Sequence, residues 1–237
     1  MPSQGWEHKT EAWLRWTRTP KHDQYWAMSP SFFEEIVPST ARATLEIGCG
    51  EGRVARDLAA RGHHVTAVDA SPSLVAHARD ADLRSRYLVA DAGALPFADG
   101  AFDVVVAYNS LMDVDDMPKA VSEAARVLSR AGCLCICVTH PMADAGSFQS
   151  RNPDASFTIS GSYLDRRRFE QVEQRGGIEM TFDGWCLPLE DYFRALEDEG
   201  LVVQRLREIR APRVLTDPAG DRWRRIPMFL HLLARRC

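Results

Sequence analysis

The chain has 237 residues, enough for one α/β domain with an added cap, and its 45% hydrophobic and 26% charged content is that of a globular protein with a core. A formal charge of −4 gives no general attraction to nucleic acid or to an anionic bilayer, and no apolar stretch approaches the roughly 20 residues that span a membrane. The first nine residues lack the apolar core of a secretion signal, so a cytoplasmic location is expected, with the six cysteines read as buried free thiols.

Residues 7–18 carry apolar side chains at helical spacing, with Trp13 and Trp16 on adjacent turns, and Thr19-Pro20 ends the pattern. Ser29-Pro30 reads as an N-cap and first-turn proline, starting a short helix that reaches about Val37. Between these helices, His22, Asp23 and Tyr25 are candidates for lining a site. The apolar run Ala43–Ile47 predicts a buried parallel strand. Gly48, Gly50 and Gly52 follow at once, then a helical pattern over 53–61 that stops at Gly62. Glycines there let the backbone turn sharply and let a ligand approach, while the helix N-terminus presents free N–H groups. His64–Asp69 predicts a second strand ending in an acid, 19 residues beyond Gly50. That is close to the ~20 at which a carboxylate grips a ribose hydroxyl pair. Asp69 could instead cap the next helix, but Ser71-Pro72 already does so.

Residues 86–92 form a third predicted strand containing Asp91, and 101–107 a fourth that is apolar enough to be buried on both faces. The fourth empties into the loop Tyr108-Asn109-Ser110-Leu111-Met112-Asp113. A helix over 118–129, a turn at 130–132 and a fifth strand over 133–139 lead to His140-Pro141. Cys133, Cys135 and Cys137 share one face of that strand, and no nearby Cys or His pair completes a zinc set, so no metal is expected. Residues 142–187 fit a sheet pattern poorly and read as a cap inserted over the substrate side. A helix over 188–200, a strand beginning at Leu201 and a last strand over 226–234 complete the chain. Strands and helices alternating at this spacing mean a doubly wound parallel sheet. Such sheets bind ligands at the carboxyl ends of their strands, which here collect Gly48, Asp69, Asp91, Tyr108 and His140.

The run Glu46-Ile47-Gly48-Cys49-Gly50-Glu51-Gly52 puts an acid inside the strand and lacks the G-x-G-x-x-G spacing that carries a pyrophosphate in dehydrogenases. It resembles the first motif, E/D-x-G-x-G-x-G, of the class I S-adenosylmethionine-dependent methyltransferases, of the type 11-like bacterial small-molecule kind. The resemblance covers residues 41–141 densely and the rest loosely. It implies a Rossmann-like α/β fold whose seven-stranded sheet is mostly parallel with an antiparallel seventh strand. It also implies one domain made of an N-terminal helical lid (1–38), a cofactor-binding core (41–141), the cap (142–187) and a C-terminal helix with the last strands (188–237). The implied cofactor is S-adenosyl-L-methionine. Glu46 would order the site near its amino group, and Gly48, Cys49 and Gly50 would wrap its methionine part. Asp69 and Ala70 would lie at the ribose, Asp91 at the adenine amino group, and the Ala92 backbone at a ring nitrogen. Leu95 or Phe97 would cover the adenine or pack in the core, and Tyr108 and Asn109 begin the loop where this family meets cofactor and substrate.

Two residues are candidates for the catalytic base. His140 titrates near neutrality when unperturbed, and it could equally brace the turn before Pro141. Asp113 is the second. An N-P-P-Y loop after the fourth strand and a P-C dipeptide, marks of nucleic-acid methyltransferases, are absent. With the acidic charge, this points to a small-molecule methyl acceptor and to neither nucleic acid nor membrane. The 111–116 loop and the closing 226–232 segment are similar to small-molecule methyltransferases of bacterial secondary metabolism. Glu46 and the glycine spacing disfavour a nicotinamide oxidoreductase; the alternative is a protein of this fold without methyl transfer, a cyclase or a cofactor-binding module.

Overall fold

Strand β1 (Ala43–Ile47) lies between β2 (His64–Asp69) and β4 (Phe102–Tyr108), parallel to both, and β3 (Arg86–Val89) extends the sheet beyond β2. On the other side β5 (Leu128–Thr139) runs parallel to β4. Two small antiparallel hairpins follow it, β6 (Gly146–Phe148) with β7 (Phe157–Ile159) and β8 (Arg167–Arg175) with β9 (Ile178–Cys186). Strand β10 (Leu201–Ile209) forms the far edge, and β11 (Phe229–Arg236) inserts antiparallel between β10 and β5. The main sheet therefore has seven strands in the order β10–β11–β5–β4–β1–β2–β3, the Rossmann-like arrangement expected. The computed structural model describes residues 4–39, 42–211 and 218–236; of the residues singled out above, 1–3, Ala41 and Cys237 lie outside them. No helix among the described residues is long and apolar enough to cross a membrane.

Period-two alternation sorts each central strand between two cores. Leu45, Ile47, Val105, Ala107, Leu134 and Ile136 face one side, under α6 (Met117–Val127) and α8 (Leu189–Asp198). Val104, Val106 and the three cysteines of β5 face the other, under α4 (Arg53–Ala60) and α5 (Pro72–Ala81). The cysteines are free and buried and pack there as small apolar groups. Helix α5 begins as its sequence predicts, with the Ser71 hydroxyl accepting from the Leu74 N–H at 3.2 Å.

Several boundaries differ from expectation, among them β3, which ends at Val89 and leaves Asp91 beyond it, and β11, which runs Phe229–Arg236. The first predicted helix is broken into α1 (Gln4–Glu7) and α2 (Thr10–Arg18). Helix α3 runs Tyr25–Glu35, so Pro30 is internal rather than in the first turn. An internal proline costs about 3 kcal/mol. Met28, Phe32 and Phe33 are buried along this helix, each contributing about 1.5–3 kcal/mol on burial, and that outweighs the lost backbone bond. Strand β5 starts at Leu128, which pairs with Phe102; the expected turn at 130–132 is an excursion before pairing resumes between Val104 and Cys133.

Candidate active site

The glycine turn is shaped by what stands against it. At Gly48 (φ +73°) a Cβ would fall 2.3 Å from the Cβ of Ser110, whose hydroxyl donates to the Ile47 carbonyl at 2.7 Å. Asp69, at the end of β2, holds the turn from the other side. Its Oδ2 accepts from the Gly50 N–H at 2.8 Å and its Oδ1 from the Ser71 N–H at 2.9 Å. Burial raises the Asp69 pKa, and the backbone donors of Ser71, Gly50 and Ala70 oppose that rise. Asp69 is thus a structural tie as well as a site group, and the cap of α5 is Ser71.

Glu46 lies inside β1, and its Oε2 is out of solvent with no hydrogen-bond partner. Burial, then the nearby charges of Asp69 and Glu51, push its carboxyl well above the usual range. Glu51, equally buried, is satisfied by Arg56 at 2.8 Å.

These groups open onto a cavity of about 1260 Å³ at the carboxyl ends of the strands. Glu46, Gly48, Cys49, Gly50, Asp69, Ala70, Asp91, Ala92, Tyr108, Asn109 and Asp113 all line it, as do Asp23 and Tyr25 from the N-terminal segment. Asn109 adopts a left-handed conformation (φ +50°), and its side-chain oxygen accepts from the Cys137 thiol. Leu95 and Phe97 pack in the core instead, Phe97 edge-on to Phe102 at 5.0 Å. His22 is buried against Trp16, with ring centroids 4.4 Å apart, and does not line the cavity.

His140 does not line it either. It stands at the end of β5 but caps α7 (Pro141–Asp144), its Nδ1 accepting from the Met142 N–H at 3.0 Å. Nε2 then carries the proton and donates to Glu208 Oε1 at 3.1 Å. Burial lowers the His140 pKa, against the raising effect of Glu208. Of the two roles left open by the sequence, base or brace, the engagement of both ring nitrogens away from the cavity favours a brace for the turn.

Asp113 ends a short 3-10 turn (Leu111–Asp113) at the cavity wall. Burial pushes its pKa up to about 8; Lys9 and Trp6 pull it down, and Asp69 and Asp144 raise it further. Asp144, on the same cavity, accepts from the Thr139 hydroxyl at 2.9 Å and is pushed up to about 6, chiefly by burial.

Trp6, Trp13 and Trp16 of α1 and α2 also face the cavity, a contribution that periodicity alone left open between lid and core. Those helices are fastened by polar contacts. Glu7 accepts from the hydroxyls of Ser71 and Ser73, Lys9 pairs with Asp183 of β9, and Asp23 pairs with Arg53. Arg53 also lies over the rings of Tyr25 (4.3 Å) and Trp13 (5.1 Å). From the hairpins come Phe148, Phe169 and Phe182, and from the 3-10 segment Pro218–Arg224 come Arg222 and Trp223. Sequence reasoning had marked none of these last five.

Residues 45–136 match the family model described as a methyltransferase domain. Glu46, the glycine turn and Asp69 all fall inside that match. Residues 45–136 thus resemble a methyltransferase domain, and the chain is similar to class I S-adenosylmethionine-dependent methyltransferases. It is 36% identical over 160 residues to a malonyl-[acyl-carrier protein] O-methyltransferase of Erwinia pyrifoliae, covering 66% of this chain and 59% of that protein. Over 119 residues it is 33% identical to a demethylmenaquinone methyltransferase of Clavibacter sepedonicus, covering 49% of this chain and 48% of the relative. The chain thus spans about half to three fifths of the length of these curated relatives. Among solved structures, an S-adenosylmethionine-dependent methyltransferase from Mesorhizobium loti superposes with a TM-score of 0.69 at 21% identity, covering 87% of this chain and 96% of that one. At that identity the likeness is one of fold.

Proposed function

We propose that this protein moves a methyl group from S-adenosylmethionine to a small-molecule acceptor. The observation that carries the reading is Glu46, an acid of the first strand that lines the cavity and has one buried oxygen left without a partner. The residues present suit the cofactor. Glu46 Oε2 is an acceptor that an ammonium group would satisfy. Asp69 Oδ2 accepts from the Gly50 N–H and Oδ1 from the Ser71 N–H, and a carboxylate has further lone pairs for a ribose hydroxyl. Asp91, whose Oδ1 accepts from the Gly93 N–H at 2.8 Å, offers its other oxygen to an exocyclic amine.

When bound, the cofactor supplies an electrophilic methyl on a sulfonium, open to in-line displacement. The protein's part is then mainly positioning. Asp113 takes the acceptor's proton, since a carboxylate with a pKa near 8 is matched to work near neutrality. The tryptophans of α1 and α2 close the cavity as a lid, and the two hairpins cap its acceptor side, which together exclude water. The relatives named for malonyl-[acyl-carrier protein] and demethylmenaquinone support a small-molecule acceptor group, and the 111–116 and 226–232 segments carry the expectation of bacterial secondary metabolism.

Calorimetry with S-adenosylhomocysteine and with NAD tests the cofactor, and the former is expected to bind at micromolar strength with NAD far weaker. Labelled S-adenosylmethionine is then offered with malonyl-[acyl-carrier protein], demethylmenaquinone and fractionated metabolite extract. Equal affinity for NAD would sink the reading. Tight S-adenosylhomocysteine binding with no label transferred to any fraction would favour a cyclase or a cofactor-binding module.

A further inference from the structure

The acceptor side of the cavity holds a charge that methyl transfer does not use. Arg222, in the 3-10 segment Pro218–Arg224, lines the cavity, and its Nε and Nη1 are out of solvent with no partner among the described residues. A buried acid can neutralise itself by taking up a proton, but a guanidinium cannot. A shielded guanidinium without partners is therefore costly until something brings it acceptors and a counter-charge. Several other arginines are committed elsewhere. Arg225 donates to the carbonyls of Pro153 and Ala155, Arg175 to that of His22, and Arg53 pairs with Asp23. Of the acids on the cavity, Asp144 is engaged with Thr139 and Asp113 lies beside Lys9.

What surrounds Arg222 is apolar and flat. Its guanidinium carbon lies 5.7 Å from the Phe148 ring centre, and Trp223 meets Phe148 edge-on at 5.1 Å. Phe148, Trp223, Met228 and Phe229 all line this part of the cavity. A planar fork of donors beside an aromatic wall suits a ligand with an oxyanion at one end and an apolar ring or chain behind it. We infer that Arg222 anchors the methyl acceptor by an oxyanion, a carboxylate or a phosphate, whose apolar body lies against Phe148 and Trp223. The inference rests on the methyltransferase reading for the identity of this end of the cavity as the acceptor side.

Matched probes test it: benzoate and phenyl phosphate as the acids and benzamide as the neutral isostere. Each is titrated calorimetrically into the full chain, with and without saturating S-adenosylhomocysteine. The wild type is expected to bind at least one acid tenfold or more above benzamide, with the preference weakened by salt. Whichever acid binds more tightly identifies carboxylate or phosphate as the group recognised. Arg222→Gln should abolish the preference while leaving S-adenosylhomocysteine affinity unchanged. Arg222→Lys keeps the charge but not the fork, so it should retain only part of the preference and covers the case of a Gln variant that folds poorly. An acid that binds no better than benzamide, no binding by either acid, or a preference unaltered in both variants would overturn the inference. Loss of S-adenosylhomocysteine binding in the wild type would instead overturn the cofactor reading, and the acid preference measured without it still decides the role of Arg222.

Discussion

Replacing Asp69 by alanine should damage the ligand-free protein as well as the cofactor site. The carboxylate accepts backbone N–H bonds from Gly50 at 2.8 Å and Ser71 at 2.9 Å. Hydrogen bonds to a charged group are worth about 1.5–3 kcal/mol each, so the gross loss is about 3–6 kcal/mol. Against this, burial already raises the Asp69 pKa, so removing the carboxylate recovers part of its desolvation cost. A net loss of about 2–3 kcal/mol is reasonable, and at about 2–4 °C per kcal/mol for a chain of this size the melting point falls by roughly 5–10 °C. S-adenosylhomocysteine affinity should fall at least tenfold in addition, from the lost ribose contacts. Asp69→Asn should not rescue either effect, because its amide nitrogen must face one of the two backbone donors. Thermal melts of the ligand-free variants and calorimetry on the folded fraction measure the two effects separately. A ligand-free Asp69→Ala protein that melts like wild type would refute the tie between β2 and the glycine turn.

Gly48→Ala places a methyl group 2.3 Å from the Ser110 Cβ at a φ of +73°, and should cost about 3 kcal/mol or more in denaturant melts. Adding Ser110→Gly should relieve the clash but not the backbone strain. His140→Ala should lose about 1 kcal/mol of capping while keeping its turnover per folded molecule. Because burial lowers the His140 pKa, its stabilising share is present above the usual histidine value and is lost as pH falls below it; melts from pH 8 to 5 should show that decline in wild type and less of it in the variant. Asp113 has the opposite sign: with its folded pKa raised to about 8, its share is complete below the ordinary carboxylate range and is lost as pH rises through 8. Wild-type stability should therefore decline toward pH 9 while Asp113→Asn stays flatter, and methyl transfer should rise through about pH 8 in wild type and drop roughly 10²–10⁴-fold in the variant.

The sheet was legible wherever burial on both faces met a clear turn signal. Ala43–Ile47 and His64–Asp69 are read to the residue, because apolar runs bounded by Gly48 and by Ser71-Pro72 leave no other register. Pro30 misleads because the rule for proline in a helix is local, whereas Met28, Phe32 and Phe33 bury themselves against elements far along the chain. Gly132 misleads for a related reason. It looks like a turn, but a Cβ there would fall 2.8 Å from the Asp103 carbonyl, so the glycine serves a close approach of two paired strands. The hairpins of 146–186 lie outside the main sheet, and β7 and β8 are largely exposed, so little apolar alternation marks those two strands; β9 does alternate, with Ile178, Met180, Phe182 and Cys186 on one face, and that signal was there to be read.

The walls of the cavity divide along the same line. Those on the strand ends, from Glu46 to Asn109, follow from topology, since a doubly wound sheet has one edge where its loops meet. His140 stands on that edge too, yet Met142 and Glu208 turn its ring nitrogens away, and no strand pattern encodes the direction of a side chain at a turn. The groups that close the cavity come from pairings across the chain: Lys9 with Asp183, 174 positions apart, Glu7 with Ser73, 66 apart, and Asp23 with Arg53, 30 apart. A charged residue of an exposed-looking segment carries no mark of its partner, so these contacts had no signal in composition or spacing. Arg222 had a weaker disguise. It sits in Asp221-Arg222-Trp223-Arg224-Arg225, where the charge run suggests a solvated face. Arg222 and the exposed Arg225 both lie over the Phe148 ring; what separates Arg222 is the shielding of two of its nitrogens and the absence of any partner for them among the described residues.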